Sequence, residues 1–240
     1  MAGGYYVALS GMRTRIDQLD RLADEIANSS TPGFKGERAG HEKAPRPSFS
    51  AAFDTAVDVT MGARRLDTTA GTIVTTGQEL DVAIDGNGFL AVETPAGTRY
   101  TRNGHLARQS DGTITTTDGA PVLGANGPIK VGTGPIEIGA DGSVRSNGVV
   151  AGRLTVVEFA NPGRLVREGG ALLRADEGAA PVAAAQPIVR AGVLEQSNVS
   201  VVERVAELTN VSRSFEALQR AVSVLMNDID GRTIDSIGRR

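Results

Sequence analysis

Apolar residues recur at intervals of three and four near both ends of the chain. Between Leu9 and Ile26 the steps are 3, 4, 3, 4 and 3, and from Leu208 onward the same alternation continues for three heptads. This spacing is typical of a helix that presents one apolar row to a partner, as in a coiled coil. It predicts one helix over about residues 5–28 and another over about residues 200–230.

We interpret the two apolar rows as contact faces. In the first helix the row comprises Leu9, Met12, Ile16, Leu19, Ala23 and Ile26, with Leu22 widening it; in the second it comprises Val201, Leu208, Val211, Phe215, Leu218, Val222, Leu225 and Ile229. Laying the two helices together as a coiled-coil pair buries both rows, and the width of each face points to further helices from other copies or other proteins. Periodicity leaves open the alternative that both helices pack on the rest of the chain as ordinary core.

Local signals mark where the helices begin and end. The stretch Thr31-Pro32-Gly33 predicts a turn after the first helix, because proline presets φ and glycine tolerates positive φ. Ser200 and Glu203 fit a capping box at the start of the second helix. Gly231 is a natural place for that helix to end.

Between the helices the chain predicts short strands separated by glycine-bearing turns. Asp111-Gly112, Asp118-Gly119 and Asp141-Gly142 are the strongest hairpin signals, and no helical period interrupts the series. The expected fold class is therefore α+β, with terminal helices flanking a central, mostly antiparallel β domain. The expected domains are an N-terminal helix (1–34), an extended arm or linker (35–80), the β domain (81–195) and a C-terminal helix (196–240).

Composition narrows the chemistry that this fold could support. The chain of 240 residues has no Cys, no Trp, only 2 His and a net charge of -3. These numbers disfavour thiolate chemistry, metal sites, stacking platforms for sugars or bases, and nucleic acid as a partner. No apolar stretch is long enough to span a bilayer, and the first residues lack the basic region of a cleavable leader.

One glycine motif superficially resembles a nucleotide site. The stretch Asp85–Ala91 contains G-x-G-x-x-A after a predicted strand, but a dinucleotide site also requires a helix immediately afterwards. A predicted strand follows instead, and a calcium loop is disfavoured because Ala83 and Ile84 interrupt the alternating oxygen ligands and no acidic residue closes the loop. We therefore interpret this stretch as a hairpin turn, with no cofactor and no metal.

Three stretches, in order, resemble the family of bacterial flagellar rod and hook proteins. They are SGMRTRIDQLDRLADEIANSSTPGFK, LDVAIDGNGFLAVETPAGTRYTRNGHL and GVLEQSNVSVVERVAELTNVSRSFEALQ. Their order and spacing also match, so the resemblance extends over nearly the whole chain. The positions that match the family's signatures are Asn28, Thr31, Pro32, Gly33, Phe34, Lys35, Asp81, Gly86, Gly88, Phe89, Tyr100, Thr101, Arg102, Gly104, Leu194, Glu195, Ser197 and Asn198.

The resemblance implies a structural protein without enzymatic activity or cofactor. Its terminal helices would form the inner layer of a hollow helical rod, with Phe34 as an additional packing anchor, and its β domain the outer layer. The implied partners are further copies, other proximal and distal rod subunits and the flagellar type III export apparatus. Nucleic acid, a small-molecule substrate and membrane insertion are not expected. The implied location is the basal-body rod, reached by export without a cleavable signal peptide.

Finer features separate the members of this family. The stretch APVLGANGPIKV followed by IEIGADGSV favours a proximal rod subunit, and VSRSFEALQ departs from the usual motif of the distal rod protein. A distal rod or hook subunit is the alternative within the family. Outside it, the alternative is a secreted β-domain binding protein or enzyme with helical oligomerisation arms, which a pocket with convergent polar groups would support.

Overall fold

The chain folds into two compact units. The computed structural model describes residues 2–39, 64–176 and 178–237, with side chains described for 9–38, 64–176 and 178–224. The two terminal helices belong to one unit, and residues 28–39 and 64–199 form the other. Most of the predicted arm, including His41, lies outside the described residues.

Both predicted helices are present. α1 spans Ala2–Ala27 and α2 spans Val201–Ile237. Ser200 caps α2, since its hydroxyl accepts a hydrogen bond from the amide of Glu203 at 3.5 Å. The prediction that this helix ends at Gly231 is wrong. A single internal glycine destabilises a helix by only about 1 kcal/mol, which neighbouring helical residues offset.

The two helices run antiparallel to one another. A Cβ placed on Gly11 would lie 3.8 Å from Cδ1 of Leu218. Farther along α1, Arg21 pairs with Glu207 and Glu25 with Arg204, so partner numbers fall along α2 as they rise along α1. Neither helix, over its described residues, is long and apolar enough to cross a membrane.

The second unit consists of short strands, and every pairing among them is antiparallel. The strands are β1 (Glu37–Ala39), β2 (Arg64–Leu66), β3 (Ile73–Thr75), β4 (Val82–Asp85), β5 (Phe89–Thr94), β6 (Gly97–Thr101), β7 (Leu106–Arg108), β8 (Ile114–Thr116), β9 (Leu123–Gly124), β10 (Gly127–Pro128), β11 (Ile136–Ile138), β12 (Ser143–Ser146), β13 (Val149–Arg153), β14 (Val156–Phe159), β15 (Val166–Arg167), β16 (Leu172–Arg174), β17 (Pro181–Ala183), β18 (Ile188–Ala191) and β19 (Val193–Glu195). A short 3₁₀ helix, Pro162–Arg164, follows β14.

A six-stranded sheet organises this unit. Its order is β15-β16-β6-β5-β14-β17, and a three-stranded sheet, β11-β12-β13, and five strand pairs complete the described strands. Successive residues of a strand point to opposite faces. Leu90 and Val92 of β5 therefore enter one apolar core, while Phe89 and Ala91 enter a second core with Tyr100. Both faces of the central strand are buried.

Two segments differ in detail from their sequence-based description. β1, β2 and β3 lie within residues 35–80, which were expected to form an extended arm, and they pair with β2, β1 and β19 respectively. The stretch Asp85–Ala91 is a turn between strands but not a hairpin, since β4 pairs with β18 whereas β5 pairs with β6 and β14. Sequence pattern alone does not reveal strand partners that are distant in the chain.

Candidate functional site

Residues from all three signature stretches meet in the β unit. Nζ of Lys35 lies 2.6 Å from Oε1 of Glu195, and Nη1 of Arg102 lies 3.3 Å from Oε2 of the same carboxylate. All three side chains are nearly inaccessible to solvent. We call Lys35, Arg102 and Glu195 the buried ion cluster. It joins the segment after α1, the end of β6 and the end of β19.

The turn predicted at Thr31-Pro32-Gly33 brings Lys35 into this cluster. The amide of Phe34 donates to the carbonyl of Thr31 at 3.2 Å, which closes the turn, and Gly33 adopts φ +67°. The Gly33 amide then donates to the carbonyl of Glu195 at 2.7 Å. The predicted turn is confirmed, and it also docks the chain against β19.

Backbone groups complete the coordination of the three charges. Lys35 Nζ also donates to the carbonyl of Thr69 at 2.6 Å, and the amide of Gly71 donates to Glu195 Oε1 at 2.9 Å. Arg102 donates to the carbonyl of Ile84 at 3.0 Å and to that of Gly86. Buried charges are tolerated when opposite charges and hydrogen bonds surround them, and this cluster supplies both, although Nε of Arg102 is buried without a hydrogen-bond partner among the described residues.

Burial dominates the titration behaviour of the two cations. Loss of hydration lowers the pKa of Lys35, while the hydrogen bond and the negative charge of Glu195 act in the opposite direction. Burial likewise lowers the pKa of Arg102, again opposed by Glu195. The carboxylate of Glu195 therefore helps both cations to remain charged in a site that disfavours charge.

Asn198 makes a second link between the same segments. Its Oδ1 accepts from the amide of Gly36 at 2.9 Å, and its Nδ2 donates to the carbonyl of Asp67 at 2.9 Å. Its own amide donates to the carbonyl of Phe34 at 3.3 Å. The side chain thus cross-links the chain before β1 to the chain after β2.

Aromatic signature residues line the surroundings of the cluster. The guanidinium of Arg102 lies 5.1 Å from the ring centroid of Phe89, and that of Arg167 lies 4.8 Å from the centroid of Phe34. Such distances suit cation–π attraction. Tyr100 packs edge-on against Phe159 at 4.9 Å. Phe34 is fully buried within the β unit.

The other signature residues have structural contacts of their own. A Cβ on Gly104 would lie 1.7 Å from the carbonyl oxygen of Val82, and one on Gly88 would lie 2.4 Å from a methyl of Val156. Gly86 adopts φ +91°. Thr101 donates to the carbonyl of Ala171 at 2.9 Å.

The remaining members of this set lie close to the same connections. Thr31 donates to Asn28, Pro32 occupies the turn, Leu194 is buried in β19, and Ser197 accepts from the amide of Val199.

The apolar rows of the two helices differ in exposure from one position to the next. Leu22 and Val211 are buried, whereas Leu9, Ile16, Ala23 and Val201 are exposed. Half-buried positions are Met12, Leu19, Ile26, Leu208, Phe215, Leu218 and Val222. The side chains of Leu225 and Ile229 lie outside the described residues. Coiled-coil pairing of the two rows remains a prediction.

Sequence reasoning missed the interhelical charges. Arg21, Glu25, Arg204 and Glu207 lie outside the predicted apolar rows, yet the carboxylate of Glu25 is fully buried. The sequence does contain a signal for an ion pair within each helix, because opposite charges are spaced by four residues in α1 and by three in α2. That spacing does not by itself indicate that the two pairs face each other.

His105 also has a partner that the sequence does not indicate. Its Nδ1 lies 2.6 Å from Oδ1 of the buried Asp81, a signature residue 24 positions earlier. The backbones of these two residues form an isolated antiparallel bridge. The contact pins the loop after β6 beside the start of β4.

One depression on the described surface lacks the convergent polar groups that a binding protein or an enzyme would require. A depression of about 520 Å³ in the β unit is lined mainly by apolar side chains, including Leu123, Leu154 and Val157. Its one charged lining residue, Arg153, is paired with Asp141. Within the described ranges, no three acidic or histidine side chains converge as metal ligands.

Comparison with known proteins matches the segments that form this site. The model of the flagellar hook protein FlgE/F/G D1 domain matches residues 83–149. The model of the flagellar basal body rod FlgEFG protein C-terminal region matches residues 190–229. The first match contains Arg102 and the second contains Glu195 and Asn198.

Full-length relatives extend the similarity to the whole chain. The flagellar basal-body rod protein FlgF of Rhizobium meliloti is 32% identical, with 99% of each chain covered. FlgF of Salmonella typhimurium is 33% identical over 95% of each chain. The rod protein FlgG of Bacillus subtilis is 32% identical over 93% of this chain and 95% of its own.

These relatives are rod proteins and not enzymes, which confirms the prediction of a structural, non-enzymatic subunit. The chain belongs to the flagellar basal-body rod protein family.

Proposed function

We propose that this chain is a subunit of the proximal rod, polymerising through its terminal helices into the hollow shaft that transmits torque. One observation carries the proposal. Exposed apolar residues recur every seven positions along α1, at Leu9, Ile16 and Ala23. Residue exposures of 40% at Leu9 and 45% at Ile16 leave much of this row open to a partner.

The second helix has exposed apolar positions of its own. Val201, Val202, Val205 and Val224 on α2 are all exposed, with Val202 at 80%. Contiguous exposed apolar surface is typical of interaction sites. A contact that joins different faces of successive subunits does not close on itself and generates a helical filament. Polymerisation through α1 and α2 buries both sets of residues.

The buried ion cluster supports the same role from the β unit. It fastens the segment that follows α1 to the segment that precedes α2, through Lys35 and Glu195. A rod subunit that carries torque requires its chain connections to resist being pulled apart. Buried hydrogen-bonded charges open reluctantly, because opening one partner leaves the other unpaired.

The assignment to the proximal rod rests on particular stretches of sequence. Identity alone does not distinguish the members, since FlgF and FlgG relatives are similar to this chain to nearly the same extent. The stretch APVLGANGPIKV followed by IEIGADGSV favours FlgF. We further propose export by the flagellar type III apparatus and contacts with proximal and distal rod neighbours.

Genetic complementation tests two points together: which rod protein the chain corresponds to, and whether the apolar row of α1 is an assembly interface. The gene is expressed in one strain that lacks FlgF and in another that lacks FlgG, and swimming is scored. We expect motility in the first strain only. Replacing Ile16 by Asp should abolish that motility, because assembly would bury an unpaired charge. Circular dichroism of the purified variant should match the parent, since Ile16 is exposed in the single chain.

Val149→Asp is the matched control. Val149 is an exposed valine on β13 in the other unit. It should leave swimming intact. Normal swimming with Ile16→Asp would refute the role of the apolar row of α1. If the gene restores motility only in the strain that lacks FlgG, the chain is a distal rod subunit.

A further inference from the structure

The four charged residues missed by the sequence pattern form a closed circuit between the two helices. Arg21 donates to Glu25 at 3.1 Å within α1, and Arg204 donates to Glu207 at 2.6 Å within α2. Across the helices, Arg21 Nη2 lies 3.4 Å from Glu207, and Arg204 Nε lies 3.0 Å from Glu25 Oε2. We call these four residues the ion-pair ring.

The ring is buried on one side and open on the other. The side chain of Glu25 is 0% exposed and that of Arg21 12%, whereas that of Glu207 is 40% exposed. Moving a carboxylate out of water is unfavourable by several kcal/mol unless cations take the place of the water. Arg21 lies on the same helix and stays beside Glu25 in every arrangement, so Glu25 favours the arrangements that also keep Arg204 beside it.

The heptad spacing does not provide such a restriction. Seven residues make nearly two full turns of a helix, so sliding one helix by seven positions brings the same two helix faces together again. In the observed arrangement, the numbers of facing residues add to 228 or 229, as for Glu25 with Arg204 and Gly11 with Leu218. A slide of one heptad is about 10 Å along the helix axis.

The ring closes in one arrangement only. If one helix slides by seven residues in one direction, Glu25 faces Val211. Arg204 of α2 then faces a position beyond the last residue of α1, Ala27. The opposite slide sets Glu25 opposite Ser197, which precedes α2. Either slide leaves the Glu25 carboxylate without Arg204.

We propose that the ion-pair ring sets the register of α1 on α2. It acts as a positioning device that selects one of the heptad-related arrangements in which the same two helix faces meet. Fixing the register of paired helices is the best attested role of buried polar groups. The inference concerns the single chain and does not rest on the proposed function.

Cross-linking reads the register directly, since the native chain has no Cys. Cysteines at positions 11 and 218 report the observed register, because Gly11 and Leu218 face each other. Cysteines at 18 and 218 report the register slid by one heptad. Each pair is introduced into the full chain, oxidised at low concentration, and the intramolecular disulfide is quantified by mass.

Substitutions in the ion-pair ring are then introduced into each of the two double-cysteine variants. Glu25→Leu with Arg204→Leu removes the buried pair and leaves apolar side chains in its place. We expect the ratio of slid to native disulfide to rise about tenfold while helical content is kept. The matched control exchanges all four charges, through Arg21→Glu, Glu25→Arg, Arg204→Glu and Glu207→Arg, and should keep the native ratio.

Two results would overturn the inference. An unchanged ratio in the leucine variant would show that other contacts between the helices select the register without the ring. Loss of both disulfides together with helical content would show that the ring stabilises the helices without selecting between registers. Glu25→Gln, which keeps size and removes only the charge, guards against a packing artefact and should shift the ratio in the same direction as the leucine variant.

Discussion

Gly33 shows how one residue supports the whole signature site. Its φ is +67°, and a Cβ there would lie 2.2 Å from the carbonyl carbon of Arg102. Only glycine combines this conformation with so close an approach of two backbone segments. The residue therefore matters twice, once for the turn and once for the contact with the buried ion cluster.

Gly33→Ala should destabilise the β unit by more than the conformational penalty alone, which is about 1–2 kcal/mol. Gly77→Ala is the matched control, since Gly77 has φ +71° but nothing within 4 Å of a Cβ. Denaturant unfolding followed by fluorescence of the tyrosines should give the larger loss for Gly33→Ala. Equal losses of unfolding free energy in the two variants would show that the close approach of Gly33 to the Arg102 backbone does not affect stability.

Lys35 and Lys130 allow a second matched comparison. Lys35 is buried against Glu195, whereas the Lys130 side chain is 66% exposed and lies 3.7 Å from Asp111. Lys35→Met should cost roughly 3 kcal/mol of unfolding free energy, because it leaves a buried carboxylate with one cation fewer. Lys130→Met should cost less than about 1 kcal/mol. Similar values for both would contradict a specific role for the buried ion cluster.

At the scale of single elements, the turns of the β unit use one repeated device. Asp111 and Asp141 each accept a hydrogen bond from the amide two residues later, at 3.0 and 3.1 Å. The glycine between adopts positive φ in both turns. The Asp-Gly signals in the sequence are therefore confirmed as turns, and the aspartate as well as the glycine maintains each one.

These turns give the β unit a dependence on acid pH. The hydroxyl of Ser143 and then the guanidinium of Arg153 hold the pKa of Asp141 below its ordinary value of 3.8. A carboxylate with a depressed pKa contributes stability that is present above its unfolded pKa and is lost as pH falls through the folded one. The contribution of Asp141 should therefore be complete above about pH 5 and decline in more acidic solution.

The thermal unfolding midpoint, measured from pH 7 to pH 2, checks this expectation. The parent should lose stability more steeply than Asp141→Asn below pH 4, because the amide cannot titrate. The two should differ by a constant amount above pH 5. Parallel curves across the whole range would show that the Asp141 hydrogen bonds do not persist in solution.

On the scale of the whole molecule, the signature residues belong to the β unit. Lys35, Arg102, Glu195 and Asn198 all lie within residues 28–39 and 64–199, as do both apolar cores. The short segment that follows α1 and the short segment that precedes α2 are thus part of the β unit. The expected boundaries at residues 34/35, 80/81 and 195/196 separate residues that the structure places in one unit.

A fragment of residues 28–199 should therefore fold without the helices and unfold cooperatively. A fragment of residues 37–192 keeps most strands but lacks Lys35, Glu195, Asn198 and β19. It should unfold at a lower denaturant concentration, since Arg102 then lies buried without its carboxylate. Equal midpoints for the two fragments would show that the terminal segments do not stabilise the β unit.

Much of the architecture could be predicted from local pattern. Heptad spacing predicted both helices, Thr31-Pro32-Gly33 predicted the turn, and the Asp-Gly pairs predicted antiparallel strands, because each feature depends on residues a few positions apart. The same patterns could not predict that Ile16 stays exposed while Leu22 is buried. Burial depends on what packs against a helix face, and the face itself does not specify that.

What the sequence determined by itself is the kind and order of the elements, since backbone preference and apolar period are local properties. Only the tertiary structure decided their partners. Lys35 meets Glu195 across 160 positions, and Arg21 meets Glu207 across 186. Opposite charges are common along the chain, so charge alone does not choose among possible pairs. The choice follows from strand pairing, helix register and the penalty for leaving a buried charge alone.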